Sequence, residues 1–110
     1  MQIMEEHLKT YNEQDLDGFM NTMAEDIEVH MLLTKQIVKG QEDVRKLYEG
    51  VWKQYPGVIV EFTNLFITGN FVAVEETIVK APQNKEMVGM KFIVVNEIAD
   101  GKIKRFWGFN

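Results

Sequence analysis

"QEDVRKLYEGVWKQYPGVIVEFTNLF" (residues 41–66) changes its hydrophobic period in the middle. In its first half Val44, Leu47, Tyr48, Val51, Trp52 and Tyr55 fall at the i, i+3, i+4, i+7 spacing of a one-sided helix. Pro56 and Gly57 end that helix. From residue 58 onward the period is two, the spacing of a strand. The switch divides the chain into a helical part and a sheet part.

Working back from this point, "TKQIVKG" reads as a loop or a short strand, and "IEVHMLL" (27–33) as a strand. Asp15 is a good N-cap for a short helix whose stripe is Leu16, Phe19, Met20 and Met23, with an expected end near Asp26. The first helix is predicted over residues 2 to about 13. Met4, Leu8 and Tyr11 share one stripe there, and His7 lies on it with them.

Working forward, strands are predicted at about 58–68, 71–81, 86–99 and 102–109, with tight turns at "TGN" and "ADG". Three helices followed by consecutive long strands define an α+β class, with the helices on one face of a curved, mainly antiparallel sheet. A single domain spans 1–110. The late strands are apolar on both faces: Ala73, Thr77 and Val79 point one way, Val72, Val74 and Ile78 the other. A sheet with one wet face would alternate cleanly. The outer face is therefore expected to be covered by a second copy of the chain, as a homodimer.

Composition narrows the function classes. A formal charge of −5 argues against nucleic acid or an anionic membrane as partner, since both need a basic footprint. There is no cysteine, so disulfide and thiol chemistry are excluded. Serine is also absent, which removes a serine nucleophile. His7 and His30 have no metal-ligand spacing, and no dinucleotide or phosphate-loop motif occurs, so no metal or cofactor is expected. Acids near the start and the lack of a long apolar run point to a cytoplasmic location.

The order of elements, with "YNEQDLDGFMNTMAEDIEV", "KGQEDVRKLYEGVWKQYPG", "GNFVAVEE" and a closing "DGKIKRFWGF", resembles SnoaL-like, ketosteroid-isomerase-like proteins of the nuclear transport factor two superfamily. The resemblance covers nearly the whole chain. It implies a cone-shaped α+β barrel in which three helices and a strongly curved sheet enclose an apolar pocket. It also implies homodimers through the outer sheet face. The fold carries isomerases, cyclases, hydrolases and non-catalytic binders, so activity does not follow from it.

The family's site residues carry over only in part. The tyrosine that family members place seven residues before the "DLDG"-type turn corresponds to His7, and a second family tyrosine corresponds to Tyr48. The aspartate base of ketosteroid isomerases corresponds to Met31. Their protonated aspartate corresponds to Ile93 or Phe92. Neither acid is present, which argues against a steroid isomerase.

The acid–base candidates are His7 and Glu75. His7 titrates near neutrality, and alignment through "GN" places Glu75 on the pocket face with Ala73 and Thr77. The other reading of Glu75 is a salt bridge to Lys91 or Arg105. Tyr11, Tyr48, Trp52, Thr77 and Trp107 complete the expected pocket wall. His30 faces outward if Ile27, Val29 and Met31 face the core, and joins the pocket if a one-residue bulge reverses that strand. The expected function is binding of an apolar small molecule, with isomerase-, cyclase- or hydrolase-type acid–base chemistry. The alternatives are a ligand carrier or sensor, and a dimeric association module.

Overall fold

The helix predicted before the period switch is present as α3 (Gln41–Gln54), and the strand after it as β3 (Ile59–Thr68), in a computed structural model that describes residues 2–109. Two further helices precede them, α1 (Gln2–Glu13) and α2 (Leu16–Met20). The remaining strands are β1 (Met23–Met31), β2 (Gln36–Lys39), β4 (Phe71–Lys80), β5 (Lys91–Ala99) and β6 (Lys102–Gly108). A short 3-10 turn, Lys85–Met87, lies between β4 and β5.

One sheet contains all six strands in the order β2-β1-β6-β5-β4-β3. Every pairing is antiparallel except β1 with β6. The sheet is curved and open, since β2 and β3 are unpaired edges. Register slips at Phe62/Asn64 in β3, at Glu97/Ile98 against β6 and at Met23/Glu28 in β1 mark the irregular points. Such bulges raise local twist and bend a strand. The helices lie on the concave face, as expected for the α+β class. No helix among the described residues is long and apolar enough to cross a membrane.

The second helix stops six residues short of its expected end. Met23 fits a helical stripe and a strand equally well, and tertiary contacts decide between them. Thr22 Oγ1 donates to the Phe19 carbonyl at 2.6 Å, and Ile103 N–H donates to the Thr22 carbonyl at 2.9 Å. The Gln41 side-chain amide lies 3.1 Å from each of the Met20, Met23 and Ala24 carbonyls. The chain is thus captured by β6 and α3 as soon as α2 ends. Gly18, a poor helix former, is required here. A Cβ at that position would collide with the capping Asp15 carboxylate and lie 2.9 Å from Thr10 Cγ2.

Two interactions fix α1 over the sheet. Met4 is buried, in a cluster with Phe19, Met20, Ile27 and Ile103. At the other end of the helix, the Asn12 amide donates to the Val60 carbonyl at 2.9 Å and accepts from the Val60 N–H at 3.0 Å. A side-chain amide thereby replaces a neighbouring strand at the β3 edge. The residues between Met4 and Asn12, including His7 and Tyr11, are held against the concave side.

Candidate functional site

Between the helices and the concave face lies a hollow of about 380 Å³. Its walls are mostly apolar, with Val29, Met31, Val60, Phe62, Phe92 and Phe106 among them. The polar residues facing it are His7 and Tyr11 from α1, Tyr48 and Tyr55 from α3 and its C-cap, and Glu76 from β4. Of the positions that the resemblance gives for the two aspartates, Met31 and Phe92 line the hollow, whereas Ile93, the alternative to Phe92, is exposed.

Among the described residues Glu76 is the only acid in the wall. Along β4 the inward residues are Val72, Val74, Glu76 and Ile78, paired with Asn96, Val94 and Phe92 on β5. Burial alone pushes its carboxyl from 4.5 up to about 7, with no charged or hydrogen-bonding partner to oppose it. It is therefore half-protonated near neutrality.

Tyr11 and Tyr48 meet edge to face, with ring centroids 6.4 Å apart. Burial raises the Tyr11 hydroxyl to about 12; the Glu76 charge adds to this, and the neighbouring Trp52 indole opposes it slightly. That indole N–H is nevertheless outside hydrogen-bond geometry and has no partner. Burial also raises Tyr48 well above its ordinary value, assisted by Tyr11 and Glu76. Both phenols stay protonated as donors, and both sense the same carboxyl across the hollow.

His7 stacks on Phe19 at 4.5 Å, with Phe106 edge-on at 6.4 Å. Burial lowers its imidazole from 6.5 to about 3, so the ring is neutral at pH 7. Its Nδ1 lies 2.9 Å from Thr22 Oγ1. At neutral pH the ring carries no imidazolium proton to act as an acid, in contrast to its expected acid–base role, although it does line the hollow.

Other expected site residues lie elsewhere. Glu75 faces the outer side of the sheet, opposite to the expected direction. Its carboxylate accepts from Thr63 Oγ1 at 2.6 Å and Asn64 Nδ2 at 2.9 Å, and Lys91 Nζ is 3.7 Å away. These partners hold it below the usual carboxylate range. Thr77 shares that outer side, where Lys91 Nζ donates to its hydroxyl at 2.9 Å. The pleat accounts for the reversal: Val72, Val74 and Ile78 carry the bulk that fills the concave side, which places Glu76 rather than Glu75 among them.

His30 and Trp107 pair across β1 and β6 and lie on the outer face. His30 Nε2 is 3.0 Å from Glu28 Oε1, and its ring is 5.6 Å from that of Trp107. Arg105 links Glu28 and Glu97 beside them. The bulge that would turn His30 inward falls between Met23 and Glu28, upstream of the regular alternation Val29–His30–Met31. Trp52 is buried behind the tyrosines, 5.7 Å from Tyr11 and 5.4 Å from Phe19, and supports the wall instead of forming it.

With the fold and the hollow defined, the chain belongs to the SnoaL-like domain family, whose model matches residues 4–106. No curated protein matches it. Among solved structures it is similar to a proposed ketosteroid isomerase from Kribbella flavida, at 20% identity and a TM-score of 0.80, covering 98% of this chain and 74% of that one. It is also similar to a proposed polyketide cyclase from Sinorhizobium meliloti, at 16% identity and a TM-score of 0.83, covering 98% and 94%. A SnoaL-like protein of unknown function from Burkholderia thailandensis has 17% identity and a TM-score of 0.82, covering 97% and 90%. At these identities the likeness is one of fold.

Proposed function

We propose that this chain binds an apolar small molecule carrying a carbonyl group in the hollow and moves a proton on it, with Glu76 as the acid–base group. The supporting observation is one half-buried carboxyl, without a partner among the described residues, in a mostly apolar wall and pushed up to about 7 by desolvation. A group with that value offers base and acid in comparable amounts at neutral pH. In the proposed step the Glu76 carboxylate takes a proton from the carbon beside the carbonyl. The C–H electron pair becomes the enolate double bond, and the carbonyl π pair moves to oxygen. The Tyr11 and Tyr48 hydroxyls donate to that oxygen, where charge develops. Glu76, now a carboxylic acid, returns the proton to the same carbon or to a conjugated one.

A test is deuterium exchange at the carbon beside the carbonyl of 2-tetralone in D2O, followed by proton NMR. The expected result is exchange above the buffer rate that Glu76→Gln abolishes. Saturable binding with exchange at the buffer rate would remove the catalytic reading and leave a carrier. Failure of any apolar probe to bind would leave an association module.

A second copy of the chain is the proposed partner. The outer sheet face presents Phe66 at 70% exposure and Ile37 and Ile93 at 54% each, and burying such area drives association. Ile93→Lys is expected to convert a dimer to a monomer by light scattering; a monomeric native chain would contradict the pairing. The proposed setting is the cytoplasm, with which a cysteine-free chain of negative net charge is compatible.

A further inference from the structure

The polarity of the His7 wall follows from a count of protons. Thr22 has one hydroxyl hydrogen, and it is directed to the Phe19 carbonyl at 2.6 Å. The same oxygen lies 2.9 Å from His7 Nδ1, so in this contact it accepts and Nδ1 carries the hydrogen. In a neutral imidazole the other nitrogen, Nε2, is then a bare acceptor. Nε2 has no protein partner among the described residues, and the ring lines the hollow. The stacked Phe19 ring, 4.5 Å away, restricts how the imidazole can turn.

We infer that Thr22 is a positioning residue that locks His7 as the Nδ1–H tautomer, and that the natural ligand presents a hydroxyl donor, phenolic or enolic, to His7 Nε2. A ligand with an ether or a methyl at that point leaves a desolvated acceptor without a partner, which a buried site penalises. Tyr11 and Tyr48 supply donors and His7 an acceptor. The wall thus distinguishes two ends of a ring compound, an acceptor end at the tyrosines and a donor end at the histidine. This rests on the reading of the hollow as a ligand site.

The experiment has two arms. Nitrogen-15 NMR of the free protein reads the tautomer directly. Nδ1–H is expected in the native chain and in Thr22→Ser, with loss of the single tautomer in Thr22→Val. An Nε2–H form in the native chain would overturn the lock. The second arm compares binding of 2-naphthol with that of 2-methoxynaphthalene, by fluorescence titration. The native chain is expected to prefer the naphthol about tenfold or more, an unpaired buried acceptor being the difference. The preference is expected to survive in Thr22→Ser, to shrink in Thr22→Val and to vanish in His7→Phe. Equal affinity of the native chain for both probes, or an unchanged preference in His7→Phe, would overturn the inference while leaving the hollow a ligand site. If neither probe binds, the ligand-site reading fails and the ligand half of the inference falls with it, whatever the tautomer.

Discussion

Replacing Glu76 by glutamine removes a titration and leaves the shape of the wall nearly unchanged, so its effect on stability must depend on pH. The folded-state value of Glu76 lies above the ordinary one, about 7 against 4.5. The native state therefore holds this proton more tightly than the unfolded chain. Its contribution is full below 4.5 and is lost as pH rises to about 7. At 1.36 kcal/mol per unit, the loss across that window is about 3 kcal/mol. His7 acts in the opposite direction. Its folded-state value is depressed from 6.5 to about 3, so its contribution is full above 6.5 and is lost as pH falls toward 3. Where the two windows overlap, between 4.5 and 6.5, their slopes oppose each other and the native chain should show a near-flat stability. Urea unfolding, followed by the fluorescence of Trp52 and Trp107, measures this at a series of pH values. The stability of Glu76→Gln relative to the native chain is expected to rise by about 3 kcal/mol between pH 4.5 and pH 7, then level off. A difference independent of pH would refute the assignment of a raised carboxyl to Glu76.

Other consequences are separable from this one. Tyr48→Phe keeps the ring packing against Phe19 and removes one donor from the hollow; it is expected to slow the exchange of 2-tetralone by about tenfold to a hundredfold with little change in urea midpoint. Asn12→Ala removes both hydrogen bonds to Val60 and is expected to cost about 1–3 kcal/mol in urea unfolding, with faster amide exchange at Val60. Gly18→Ala forces the Asp15 cap aside and is expected to cost about 1–3 kcal/mol in the same assay.

Much of the fold is legible in the sequence because the hydrophobic period is unambiguous over long segments. The stripe Val44–Tyr55 and the stop at Pro56–Gly57 define α3 to within a residue. The turns at Gly69 and Gly101, both at positive φ, separate β4 from β3 and β6 from β5 as their sequences predict. Met23 is the instructive exception. Its side chain is buried in either reading, so period alone could not choose between the end of α2 and the start of β1. The choice was made by Ile103 and Gln41, residues distant in the chain.

The site is legible in part. His7, Tyr11 and Tyr48 line the hollow; the first two share a helical stripe in the sequence, and the family resemblance singles out His7 and Tyr48. Which glutamate of the adjacent pair faces inward depends on the pleat, and β4 is apolar on both sides, so its alternation carries little information. The useful signal was in the bulk: Val72, Val74 and Ile78 share one side, and Glu76 is the single acid in that series. His30 and Trp107 were ambiguous because strand register is set by the β1–β6 pairing, which joins segments far apart in sequence. Thr22 carried no signal at all, since its contact with His7 spans the whole of α2, fifteen residues along the chain.

A carbon-13 NMR titration of the Glu76 side-chain carboxyl tests the account most directly, with the resonance identified by its absence in Glu76→Gln. The predicted midpoint is about 7. A midpoint at 4.5, the ordinary value, would contradict it and remove the proton-transfer group from the hollow.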